Sequence, residues 1–165
     1  MSGVLDLAAA SAMASVVTAE AAARGLSVTV AVADAQGSLV TLVRMDGAAG
    51  LSVVTAQHKV TTVLRTGRST RDVTDELVAE SGAEPALLLG MVVHGGLIPI
   101  PGGVPVHRAG VLVGAVAVSG ASSAEDHDLA TLAAAPPTPA TSRESGIPSG
   151  CVGDSVRPGR PGLGR

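Results

Sequence analysis

The chain has 165 residues and a formal net charge of −3, long enough for one domain built on a single hydrophobic core. Hydrophobic residues make up 46% of it, charged residues 15% and aromatic residues none. The acidic balance gives no basic footprint for DNA or RNA, and the missing aromatics remove the stacking platforms that single strands need. The core must then be filled by Val, Leu, Ile, Met and Ala.

In chain order, residues 3–24 predict an Ala-rich helix, with Leu5, Ala9, Ala12, Val16, Ala19 and Ala23 at helical spacing and Gly25 ending it. Ser27 to Ala33 places Val on every second residue, which is strand alternation. Asp34-Ala35-Gln36-Gly37 is a turn, and Ser38 to Arg44 returns as the second strand of a hairpin. Residues 51–66 predict a second helix closed by Gly67. Ser69 and Asp72 have capping-box spacing and open a third helix reaching about Glu80.

Pro85 to Val93 is an apolar run that reads either as a strand or as a helical turn leading into one, and the strand is the element expected in the topology. Gly95 to Gly103, rich in Gly and Pro, is a loop. Val104 to His107 and Val111 to Ser119 predict a second hairpin across Arg108-Ala109-Gly110. Ser122 and Glu125 form a capping box for a final helix through about Ala135. The order implies an α+β domain, a mainly antiparallel sheet flanked by helices, over residues 3–135.

After Ala135 the composition changes. The last 30 residues hold 6 Pro and 6 Gly without apolar periodicity, as expected of a disordered tail. The N-terminal stretch lacks a basic n-region and carries Asp6 where a signal peptide would be apolar, and no run is long enough to span a membrane. Cys151 is the only cysteine, so an internal disulfide and a cysteine-rich metal site are excluded. The expectation is a cytoplasmic protein with no nucleic-acid or membrane partner.

Four blocks, in order, resemble the GlcG/HbpS family. They are Ala33-Asp34-Ala35-Gln36-Gly37 with Arg44-Met45-Asp46-Gly47-Ala48; Ala56 to Thr62 with Gly67-Arg68-Ser69-Thr70; Pro101-Gly102-Gly103-Val104-Pro105-Val106; and Gly114 to Ala121 with Glu125 and Asp126 following. Val60 stands where that family commonly has Ala. The resemblance implies a profilin-like sheet-and-helix fold, assembly into homo-oligomers (dimers or larger rings), and binding of haem or a related small ligand. It suggests a carrier, a sensor or an accessory subunit.

Haem iron takes an axial His, Met, Cys or Tyr in an apolar pocket, with basic groups for the propionates. Tyr is absent and Cys151 lies in the tail, which leaves His58, His94, His107 and His127 with Met45 and Met91. His94, beside Gly95-Gly96 and near the glycine loop, is the candidate metal ligand. Lys59, the only lysine, and Arg44 or Arg68 are candidate contacts for ligand carboxylates. The competing reading pairs Lys59 or Arg44 with Asp46 or Asp34, pinning helix to hairpin. Gly102 and Gly103 either present backbone N–H groups to the ligand or form a plain turn.

No GxxxxGK[ST], GxGxxG or GxSxG motif occurs, and no His pair has zinc spacing. Whether the chain is an enzyme is left open. The alternatives are a small-molecule enzyme using Lys59, Arg44 and Asp46 on a carboxylated metabolite, or a structural oligomer supporting a partner enzyme.

Overall fold

The computed structural model describes residues 4–81 and 84–135, leaving aside the side chains of Ser81, Leu88 and His94. The elements run α1 (Leu7–Ala23), β1 (Thr29–Asp34), β2 (Leu39–Arg44), α2 (Leu51–Thr66), α3 (Thr70–Ser81), α4 (Pro85–Gly95), β3 (Gly103–Arg108), β4 (Val111–Ser119) and α5 (Ser123–Ala134). The Pro/Gly-rich segment 136–165 lies outside the described residues.

The four strands form one antiparallel sheet in the order β2-β1-β4-β3, giving the α+β class. Side chains alternate across a strand, so the β1–β4 register sorts residues by size onto two faces. Val30 opposes Val118 and Val32 opposes Val116 on one face, while Ala31 opposes Ala117 and Ala33 opposes Ala115 on the other. The Val face packs on Ala10, Ala14, Val17 and Ala21 of α1 and on Leu129, Ala130 and Ala133 of α5. The Ala face packs on Ala56, Val60 and Val63 of α2. The Val face thus meets mostly alanines, and the Ala face meets Val60 and Val63, which fills a core without aromatic rings.

Two local expectations are corrected. The first helix begins at Leu7, because Asp6 caps it by accepting the Ala9 N–H at 2.8 Å. Leu5 is buried outside the helix, and the buried face is Ala10, Ala14, Val17 and Ala21, whereas Val16 is exposed. Alanine surrounds this helix, so apolar spacing alone does not mark which face is inward. The run from Pro85 is a full helix, not a strand: Pro occupies its first turn, Ala, Leu and Met propagate it, and Gly96 ends it at φ +62°.

Candidate functional site

Lys59 lies in the buried stripe of α2 formed by Ser52, Ala56, Lys59, Val60, Thr62 and Val63. Its side chain is 1% exposed and passes the end of β4, where Nζ donates to Asp126 Oδ2 at 2.9 Å and to the Val118 carbonyl at 2.8 Å. Asp126 sits in the first turn of α5, which is fixed by the Ser122–Glu125 capping box. Its second oxygen accepts the Ala121 N–H at 3.0 Å. Burial pushes the Lys59 amine down and the Asp126 carboxyl up, and the attraction between them opposes both shifts.

The glycine loop lies across this pair. Gly102 has φ +131°, and a Cβ there would stand 2.5 Å from Lys59 Nζ and 2.6 Å from the Val118 carbonyl oxygen. At Gly103 a Cβ would meet Thr70 Cγ2 and Val63 Cγ2, each at 2.9 Å. The Gly103 N–H donates to Thr70 Oγ1 at 2.9 Å, and the Gly102 carbonyl accepts from Val118 N–H at 2.8 Å. Lys59, Gly102 and Gly103 therefore converge, on a buried ion pair and on protein groups.

The same loop is fastened to the helices by hydroxyls. Thr62 Oγ1 accepts the Ile98 N–H at 2.8 Å, and Thr74 Oγ1 donates to the Pro99 carbonyl at 2.6 Å. Arg65 Nη1 donates to the Gly95 carbonyl at 2.6 Å, tying α2 to the end of α4. Between α3, α4 and the loop opens an apolar groove of about 270 Å³, lined by Thr74, Leu77, Val78, Val92, Ile98, Pro99 and Ile100.

The remaining candidates lie elsewhere. Arg44 directs Nε and Nη2 to the Ala48 carbonyl at 2.9 and 2.5 Å. Arg68 pairs with Glu76. Asp34 Oδ1 accepts the N–H groups of Gln36 and Ser38 within its own turn, and Asp46 is exposed. The expected pairing of Lys59 or Arg44 with Asp46 or Asp34 is thus replaced by Lys59 with Asp126, because Lys59 points inward and Asp34 is held by the turn. No hydrogen bond joins Lys59, Arg44 and Asp46 to one another among the described residues.

His94 falls in the last turn of α4, two residues beyond the groove-lining Val92, and its side chain is outside the described residues. His58 is half-buried and His107 exposed. His127 has a buried Nδ1 without a hydrogen-bond partner among the described residues. Asp126, Arg65, Thr70 and Thr74 are not among the site residues that the sequence suggests. A usable signal existed for one of them: Asp126 shares the spacing of Leu129, Ala130 and Ala133 on the inward face of α5.

Residues 5–135 match the family model described as haem degrading protein HbpS-like. The chain belongs to the HbpS-like family. All four sequence blocks of the resemblance fall within the matched span. Among solved structures, this HbpS-like chain is similar to Klebsiella pneumoniae protein ORFY, a DUF336 protein, at 28% identity and TM-score 0.70, covering 79% of this chain and 88% of that one. A double mutant of Streptomyces reticuli HbpS is 30% identical with TM-score 0.69, covering 81% and 87%. A complex of PduOC with haem is 26% identical with TM-score 0.70, covering 79% and 93%. No curated protein matches significantly. No helix among the described residues of the HbpS-like chain is long and apolar enough to cross a membrane.

Proposed function

We propose that the chain binds haem or a related tetrapyrrole against the groove beneath α4, and that it acts as a carrier, sensor or accessory subunit in a homo-oligomer. The observation that carries this reading is the groove itself: six of its seven lining residues are apolar, and Thr74 has its hydroxyl engaged by Pro99. A porphyrin edge requires such a surface, with a His or Met nearby for iron. His94 and Met91 are both on α4, and His94 is the axial ligand in this reading. Bound haem would supply the redox and gas-binding chemistry, while the chain supplies binding and orientation.

Lys59, Gly102 and Gly103 serve here as the frame that holds the loop bearing Ile98 and Ile100, and Arg44 secures the connection into α2. Kinship with HbpS, and with the PduOC that was solved with haem, supports the ligand class. Assembly is supported by α4, where Leu87, Leu89, Val92 and Val93 remain 42–64% exposed on an apolar helix.

The test is titration of hemin into purified protein, followed by the Soret band. Saturation at micromolar hemin is expected, with a shifted band in His94→Ala and at least tenfold weaker binding in Val78→Glu, which puts a charge in the groove. Absence of a saturable Soret change in the unmodified protein would overturn the proposal.

A further inference from the structure

A second concave site lies outside this groove. The turn after β1 packs directly on α2, so that a Cβ at Gly37 would stand 3.9 Å from Leu64 Cδ1. Beside that contact is a space of about 340 Å³ lined by Ala35, Gln36, Gly37, Thr61, Leu64 and Arg65. Thr61, Leu64 and Arg65 occupy one face of α2 at i, i+3 and i+4 spacing, and Gln36 forms the opposite wall.

Arg65 is the only charged residue lining this space. A guanidinium carries five N–H donors, and the one hydrogen bond recorded for Arg65 among the described residues runs from Nη1 to the Gly95 carbonyl. Among the described residues, no hydrogen bond engages its Nε–Nη2 edge. That edge is a planar fork of two parallel N–H groups, matched to the two oxygens of a carboxylate. The bond to Gly95 holds the guanidinium in place, which lowers the entropy lost on binding. Gln36, which also lines the space, carries a side-chain amide able to donate to the same ligand. Asp34 lies at the same turn, but its Oδ1 is turned to the N–H groups of Gln36 and Ser38.

We propose that this pocket binds a carboxylate through the Nε–Nη2 edge of Arg65. The site does not rest on the haem reading: it shares no lining residue with the apolar groove, and acetate binding is read without hemin. A single guanidinium on an exposed residue makes a weak site, with dissociation constants expected on the order of millimolar.

The experiment is a two-dimensional amide NMR titration of the full chain with sodium acetate, against sodium chloride at equal ionic strength. Saturable shifts are expected at Ala35, Gln36, Gly37, Thr61 and the Arg65 Nε–H. Arg65→Gln should weaken binding at least tenfold, Arg65→Lys severalfold because it keeps the charge and loses the fork, and Gln36→Ala by less. Shifts no larger than those with chloride, shifts spread over the surface, or undiminished binding in Arg65→Lys would each overturn the proposal. The titration of the unmodified chain decides the matter even if an Arg65 variant fails to fold.

Discussion

Lys59 Nζ stands 2.9 Å from Asp126 Oδ2, joining a helix on the Ala face of the sheet to one on the Val face. These are the only charged side chains buried among the described residues. Their mutual attraction is set against the cost of desolvating both, so the pair as a whole adds little net stability. Removing one partner strands the other in the interior. Lys59→Met should therefore cost about 3–5 kcal/mol, and the Lys59→Met/Asp126→Leu double variant should recover much of that loss. Urea unfolding of the three proteins checks this, and a double variant weaker than the single would contradict it.

Gly102 and Gly25 both have positive φ, at +131° and +69°, but a Cβ at Gly25 meets nothing within 4 Å. Gly25→Ala should cost about 1 kcal/mol from backbone strain alone. Gly102→Ala adds a clash with the ion pair and the Val118 carbonyl, and should cost on the order of 3 kcal/mol or more. Equal losses in thermal unfolding would show that the loop yields around the pair.

Burial first, and then the charge of Arg71, holds the His127 imidazole below its ordinary value of 6.5, against the opposing pull of Asp128, Asp72 and Asp75. The unfolded chain then takes up a proton that the folded chain resists. Stability should fall as pH drops from 6.5 toward the lower folded value, and the loss is complete below it. His127→Gln should reduce the difference in urea midpoint between about pH 7.5 and about pH 5. An unchanged difference would remove His127 from that role.

Much of this was legible in the sequence where local chemistry decides the structure. The Val alternation of β1, the Ser122–Glu125 box and the Asp34 turn need only near neighbours, and each is present. The inward face of α1 was not legible, because alanine on all sides gives no contrast. The helix from Pro85 is ambiguous for a related reason: an apolar run carries no period, so only its Pro start and its Ala, Leu and Met, which are not branched at Cβ, favour a helix. The partner of Lys59 lies 67 residues away, while the sequence offered Asp46 and Asp34 close by. Lys59 and Asp126 each interrupt an otherwise uncharged buried stripe, a pattern that marks a buried pair once both helices are phased.

Leu89 and Val93 lie one turn apart on α4, each 64% exposed. If a second copy covers this helix, Leu89→Glu/Val93→Glu should convert the native mass from a multiple of the chain to a monomer. Light scattering on both proteins gives the answer, and an unaltered mass would place the interface elsewhere.

The most direct measurement of ligand placement uses ferric hemin as a paramagnetic probe of methyl resonances. Binding at the groove predicts broadening of Leu77, Val78, Val92, Ile98 and Ile100, with Val16 on α1 and Leu132 on α5 unaffected. Broadening centred on Val16 and Leu132, or none at saturating hemin, would contradict the account.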